Sequence, residues 1–372
     1  MCPGLSELDY TRLISILSNP GELGYPVILP DFFVDHFVLI ESLEKLVDGL
    51  KKLAEQGGGN LLDNEQFIRR GGNAVNTASA LLALGLQPRL IVTTDEHGAS
   101  LLKSLAHPKL DLSHVHIDGR MSSTVSLETE YKGRKVNLMI SDSGSAREFS
   151  FSDLTENDIK TIQGCRLLAL VNLNHNLKGS DLALDLFRMA KDNSNAITFM
   201  DMGDPSGNPN LVGKLIKGVV SEGLVDVFGL NENEVQWVAL NLSDNSKRWK
   251  NIHLKPLDWL QAAQYISSET GIQVDLHTPF FTATIRDDKT AAIPTFVAES
   301  RVVCGAGDAW NAGDIYGTLL ELFPEDRLIL ANAVASLYVS STSASHPTST
   351  QIVEYLDGNP PLSGDGTKLL KS

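Results

Sequence analysis

The feature that most limits how this chain can fold is an alternation that sets in after residue 150. Apolar runs too short for helices occupy 167–173, 196–200, 225–229 and 272–276. Between them, apolar residues recur at helical spacing over 180–191, 210–220, 234–240 and from Pro256, where Trp259, Ala262, Ala263 and Ile266 share a face. Ser180 stands where a helix cap is expected. A strand at 282–285 and a helix at 327–339 follow. Strand–helix alternation predicts a mostly parallel sheet with helices on both faces, an α/β doubly wound architecture. Ligands bind such sheets beyond the carboxyl ends of the strands.

The first half extends the same pattern. Strands are expected at 26–29 and 89–93, a buried helix at 77–84, and shorter helices at 43–53 and 99–105. Two stretches stand apart. Residues 32–40 read as a strand, and 124–131 with 136–140 alternate about a Lys132-Gly133-Arg134 turn, a hairpin with one wet face. Residues 1–25 read as an N-terminal extension, 26–355 as the main domain, and 356–372, rich in Gly, Pro and Asp, as a flexible tail.

Composition closes off several functions. The chain has 372 residues with 42 % hydrophobic and 21 % charged content, as expected of a protein with a sizeable core. A net charge of −15 leaves no basic surplus for nucleic acid or an anionic membrane, although a local basic pocket fits within that total. The start lacks a signal-peptide pattern, and no apolar stretch approaches transmembrane length, so a cytoplasmic location is expected. Cys2, Cys165 and Cys304 are odd in number and widely spaced, and read as reduced thiols. Cys304 reads as a small buried residue.

The chemistry concentrates at Val303-Cys304-Gly305-Ala306-Gly307-Asp308-Ala309-Trp310. A small-residue turn opens a helix, with Ala309, Ala312, Tyr316, Leu319, Leu320 and Phe323 at helical spacing behind it. A helix start presents unpaired N–H groups and the positive end of the macrodipole, and glycines let an anion approach them. Asp308 lies in the first turn, where its ionised form is stabilised. A carboxylate beside an anion cradle can take a proton from an attacking hydroxyl while the cradle holds charge on a transferring phosphoryl group. The structural alternative is a tight turn with a dipole partner.

Three other stretches bear on this site. Gly71-Gly72-Asn73-Ala74-Val75-Asn76 combines paired glycines with amides that donate and accept, as a polyhydroxy ligand requires; the alternative is a capped helix start. Asp35, after the first strand, can accept vicinal hydroxyls or be a solvated loop residue. Asn231-Glu232-Asn233-Glu234 is a capping box, or a carboxylate and amide that organise Mg²⁺-bound water near phosphates.

Together, Arg70-Gly71-Gly72-Asn73-Ala74-Val75-Asn76, Asn231-Glu232-Asn233-Glu234 and Gly305-Ala306-Gly307-Asp308 resemble, in order and spacing, the hallmarks of the ribokinase-like (PfkB) sugar and nucleoside kinases. The resemblance spans about residues 26–350. It implies a doubly wound core with a small β-sheet lid formed by about 32–40 and 115–140. It also implies phosphoryl transfer from a Mg²⁺-bound nucleotide to an alcohol. Carried over by residue, Asp308 is the general base, and Gly305, Ala306 and Gly307 form the anion hole. Asp35, Gly72, Asn73 and Asn76 hold acceptor hydroxyls. Asn231 and Glu234 position Mg²⁺ and phosphate, Glu234 through water. Asn332 and the segment 340–346 lie near the nucleotide base.

Departures from the family pattern carry information as well. An Asp and a Thr commonly precede the Gly-Ala-Gly-Asp in the family and help form a monovalent-cation site; Val302, Val303 and Cys304 stand here, which puts K⁺ activation in doubt. The strand before the nucleotide loop ends in His277-Thr278-Pro279, more like the related ADP-dependent sugar kinases. His277 is a candidate nucleotide contact, with a plain strand-end histidine as the alternative. ATP is the expected donor, with ADP left open. The expected acceptor is a sugar or other small polyol, with a nucleoside as the alternative. A sensor that binds without reacting is the rival outside catalysis. A homodimer through the lid is a further expectation. A Rossmann dehydrogenase would need a glycine spacing that 71–76 lacks.

Overall fold

A computed structural model describes residues 8–243, 247–250, 255–302 and 304–371, without the side chains of Arg134 and Lys135. Thus Val303, Cys2 and parts of the extension and of the 243–255 stretch lie outside the described residues. The described residues form fourteen strands: β1 Pro26–Leu29, β2 Phe33–Leu39, β3 Gln66–Gly71, β4 Arg89–Leu90, β5 Val92–Thr93, β6 Val115–His116 and β7 Ser122–Tyr131 in the first part of the chain, then β8 Arg134–Asp142, β9 Leu167–Val171, β10 Ile197–Asp201, β11 Val227–Asn231, β12 Gln273–His277, β13 Phe281–Arg286 and β14 Lys289–Pro294.

Eight of them form one sheet in the order β14-β13-β12-β11-β10-β9-β1-β4. The six from β12 to β4 are parallel, and β13 and β14 close the edge as an antiparallel hairpin. The short apolar runs form this sheet because both of its faces are covered. In β9, Leu167, Ala169 and Val171 face a core shared with the helices Asn73–Ala83, Ala306–Leu319 and Pro324–Val339. Leu168 and Leu170 face the opposite core, under Gly179–Asn193, Glu232–Leu242 and Pro256–Thr270. The doubly wound architecture is therefore present as expected.

The lid is a second sheet in the order β3-β2-β7-β8. β2 runs parallel to β7 and antiparallel to β3, which places Asp35 opposite Arg69 on one side and Thr124 on the other.

Two buried polar clusters tie these layers together. Arg327 donates through Nη1 to Asp275 Oδ2 (2.5 Å) and Asp314 Oδ1 (2.6 Å), and through Nη2 to Thr284 Oγ1 (2.7 Å). It joins the helix Ala306–Leu319 to β12 and β13. A guanidinium between two carboxylates is tolerated inside a protein only because its donors are matched to acceptors. On the other flank, Asp158 accepts from His114 Nδ1 (2.6 Å), His116 Nε2 (2.9 Å) and Thr155 Oγ1 (2.7 Å).

The structure departs from sequence expectation in several places. The helix expected to be capped by Ser180 starts at Gly179, and Ser180 Oγ is buried without a partner among the described residues. Phe323, placed on the face behind Asp308, is 58 % exposed, because that helix ends at Leu319. The helix Ser349–Asp357 closes the main domain, and the tail expected to be flexible at 356–372 holds the helix Gly364–Lys371, packed against β13 and β14. Ile352 and Leu356 are fully buried and anchor Ser349–Asp357: a spacing of four puts both on one face.

Candidate active site

The loops at the carboxyl ends of β1, β9, β10, β11 and β12 meet the start of the Ala306–Leu319 helix. Gly305 caps that helix with φ 87°, a left-handed conformation that glycine adopts without strain. The first intrahelical bond runs from the Ala309 N–H to the Gly305 carbonyl (3.0 Å), so the N–H groups of Ala306, Gly307 and Asp308 have no intrahelical partner.

Asp308 is only 6 % exposed. Asn76 Nδ2 donates to its Oδ2 at 2.9 Å. The helix start was expected to favour the ionised carboxylate, but burial outweighs it. Desolvation pushes the Asp308 carboxyl up to about 8, the Asn76 hydrogen bond opposes this, and Asp31, Asp201 and Asp35 add to it.

Beside Asp308, Asp35, Arg69, Arg70, Asn76, Cys304 and Tyr338 line a cavity of about 120 Å³. Burial pushes Asp35 up to about 6, with a hydrogen bond from Thr124 pulling the other way. Gly71 is the reason Asp35 fits, since a Cβ there would overlap its carboxylate. Gly72 has φ 89°, and a Cβ on it would lie 2.9 Å from the Asp31 carbonyl oxygen. Asn73 is placed differently from expectation. It opens the helix Asn73–Ala83, its backbone N–H donates to Asp31 Oδ2 (3.0 Å), and it is not among the residues lining the cavity.

A larger cavity of about 540 Å³ lies on the other side of the helix start. Asn231, His277, Ala306, Gly307, Trp310 and Asn332 are among its walls. His277 stacks on Trp310 at 4.8 Å between centroids, and its Nδ1 is buried without a partner among the described residues. Burial lowers its pKa, so the ring is neutral. Asn332 is engaged already, accepting from Trp310 Nε1 (3.1 Å) and donating to the Pro294 carbonyl (3.3 Å). It shapes this cavity through Trp310. The segment 340–346, expected near the nucleotide base, borders the smaller cavity. Ser343 and Ala344 line the Asp35 cavity, and His346 stacks on Tyr338 at 4.9 Å. The Tyr338 hydroxyl donates to the Cys304 carbonyl (2.9 Å), tying the end of the Pro324–Val339 helix to the turn before Asp308. Cys304 is half-buried and lines the same cavity, where its thiol is pushed up to about 12.

Asn231 and Glu234 do form a capping box. The Asn231 backbone N–H and Nδ2 donate to Glu234 Oε2 and Oε1, both at 2.9 Å. Glu234 is 2 % exposed, and burial followed by the Asp201 charge raises its pKa well above the carboxylate range. Asp201, Asp204 and Glu232 surround it, and none of the four forms an ion pair among the described residues. No three His, Cys, Asp or Glu among the described residues converge closely enough to hold a metal by themselves. An uncompensated acidic group beside the larger cavity does fit Mg²⁺ held mainly by phosphates and water, the usual mode for that ion.

Sequence reasoning passed over Asp31 and Asn172. Asp31 Oδ1 accepts the Ala74 N–H (2.8 Å), and its Oδ2 accepts from Asn172 Nδ2 (2.7 Å). It thereby anchors the helix that carries Asn76. Its position just past the carboxyl end of β1 was the available signal.

The comparisons with known proteins agree with this geometry. The profile of the pfkB family carbohydrate kinases matches residues 49–351. No curated protein matches the chain. Among solved structures, Arabidopsis thaliana ribokinase complexed with ribose and ATP is similar at TM-score 0.70 and 16 % identity, over 90 % of this chain and 98 % of that one. Cryptococcus neoformans var. grubii ribokinase in complex with ADP has TM-score 0.64 and 15 % identity, over 89 % and 99 %. Adenosine kinase from Sinorhizobium meliloti has TM-score 0.65 and 14 % identity, over 90 % and 98 %. At such identities these likenesses speak to the fold, while the matched profile covers most of the sequence. The chain belongs to the pfkB family of carbohydrate kinases.

Proposed function

We propose that this protein transfers the terminal phosphoryl group of a nucleotide, read as ATP, to a hydroxyl of a sugar or related polyol. The observation that carries this reading is the position of Asp308. It stands at a helix start between a polar cavity bearing Asp35 and Asn76 and a larger cavity floored by Ala306 and Gly307.

The acceptor hydroxyl would sit against Asp308, with Asp35 orienting its neighbours. Asp308 takes the proton as the hydroxyl oxygen attacks phosphorus, and the bond to the nucleotide's leaving oxygen breaks. The N–H groups of Ala306, Gly307 and Asp308 stabilise the charge on the phosphoryl oxygens. Asn76 keeps Asp308 aimed and moderates its pKa. His277 and Trp310 offer a flat wall for the nucleotide. Mg²⁺, when bound to the phosphates near Asn231 and Glu234, neutralises their charge.

The test is a phosphoryl-transfer screen with Mg²⁺, with ATP and ADP as donors against sugars, inositols and nucleosides, and Asp308→Asn in parallel. Turnover that disappears in Asp308→Asn is the expected result. A fully active Asp308→Asn would overturn the assignment of the base. Nucleotide binding without transfer to any acceptor would favour a sensor.

A further inference from the structure

Two side chains in the Asp35 cavity have no part in the transfer above. Arg69 and Arg70 immediately precede Gly71-Gly72, and both line that cavity. Arg69 also lines a wider cleft of about 550 Å³ under the lid, which shares Phe37 and Cys304 with it. The cleft and the cavity are therefore continuous at Arg69.

Arg69 is held in place by aromatic rings. Phe37 and Phe67 stack at 5.0 Å, and the guanidinium carbon lies 4.6 Å from the Phe67 centroid and 5.5 Å from that of Phe37. Arg70 is more enclosed. Its Nη1 donates to the Leu105 carbonyl at 3.4 Å, and its Nε is buried without a partner among the described residues. Neither guanidinium forms an ion pair among the described residues, so most donors of two planar forks are unused.

A partly desolvated cation with spare donors is costly unless a counter-ion arrives. Asp308 attracts the Arg70 charge but does not outweigh its burial, and the carboxylates at hand leave both forks open. Neither Asp35 nor Asp308 reaches ion-pair distance of either arginine, and burial still pushes the two carboxyls up to about 6 and about 8. Glu41, Glu128 and Glu130 line the adjoining cleft, so the two arginines are the positive end of a mostly acidic surface.

We propose that the acceptor is an anionic polyol, whose phosphate ester or carboxylate is gripped by Arg69 and Arg70 while its hydroxyl faces Asp308. This rests on the phosphotransferase reading above. A guanidinium fork matches either oxyanion bidentately, which a lysine cannot do. The Phe37–Phe67 stack orders Arg69 in advance, so less freedom is lost on binding.

The test pairs neutral acceptors with charged counterparts: ribose with ribose 5-phosphate, myo-inositol with an inositol monophosphate, and glucose with glucose 6-phosphate and gluconate. Phosphoryl transfer from ATP and calorimetric binding without nucleotide are measured separately. At least one charged member should exceed its neutral counterpart by about 100-fold in kcat/KM and in affinity, the scale of a buried bidentate pair. Arg69→Gln should cut that ratio by about tenfold or more, mainly through KM, and Arg69→Lys should restore part of it. The rank of phosphates against gluconate identifies the oxyanion. The proposal fails if neutral members bind and react as well as charged ones, if Arg69→Gln leaves the ratio unchanged, or if no charged member binds. Transfer to neutral acceptors alone removes this proposal and keeps the kinase. Binding of charged members without transfer to any acceptor removes the kinase assignment and keeps the anion site.

Discussion

Replacing Asp308 by Asn should stabilise the ligand-free protein while abolishing its activity. An aspartate titrates at 3.8 when unperturbed, and burial raises Asp308 to about 8. Between those values the folded state binds one more proton than the unfolded state. Stability therefore falls as pH rises, by at most about 1.4 kcal/mol per unit. From pH 5 to pH 8 the loss comes to about 3.6 kcal/mol, since the folded group has itself begun to ionise at the upper end. The amide introduced by Asp308→Asn does not titrate, and its oxygen can still accept from Asn76. Glu234 and Asp314 are also buried with raised pKa values and contribute equally to both proteins. Asp31 and Asp35 feel the Asp308 charge, so the stability difference reports Asp308 together with the relief of those two carboxyls, both acting in the same direction. Urea unfolding of the two proteins across pH 5–8 should show a gap that widens with pH in favour of the variant. For 372 residues this corresponds to about 5 °C in Tm. A gap that stays flat, or a variant that is less stable at pH 8, would refute the reasoning. It would mean that the helix start holds the carboxylate ionised despite burial.

Other expectations follow from the same geometry. In the wild-type protein, kcat/KM should rise with pH through about 8 as Asp308 loses its proton. Removing the Asn76 hydrogen bond with Asn76→Ala should move that limb to higher pH, because the bond lowers the Asp308 pKa; an unmoved limb would show that Asn76 acts elsewhere. Gly71→Ala should displace Asp35 and cost kcat/KM about tenfold or more through acceptor KM, with circular dichroism unchanged. Glu234→Gln sets an amide N–H₂ against an Asn231 donor, so a loss of about 1–3 kcal/mol in stability is expected, together with an altered Mg²⁺ dependence of transfer.

Much of this protein was legible in the chain. The parallel sheet followed from short apolar runs separated by helical periodicity, because a strand buried on both faces has no room for polar alternation. The Gly305–Asp308 turn and the Gly71–Asn76 turn were readable because local backbone chemistry, small residues before a helix, allows few other outcomes. The C-terminal helix at 364–371 was hidden by its composition. Gly364, Asp365 and Gly366 suggest a tail, and packing against β13 and β14 overrides that propensity.

Distances across the chain were beyond sequence reasoning. Asn76 and Asp308 are 232 positions apart and meet at 2.9 Å, which makes Asn76 a partner of Asp308 as well as a wall of the cavity that holds Asp35. Asp31 and Asn172 are 141 positions apart and together anchor the helix that carries Asn76. Protonation was equally out of reach. The local rule for a helix start favours an ionised Asp308, whereas desolvation by layers drawn from the whole chain raises its pKa to about 8. Periodicity and turn chemistry act over a few residues and can be read in order. Burial, charge proximity and the direction of a side chain are sums over neighbours that only the folded sheet brings together.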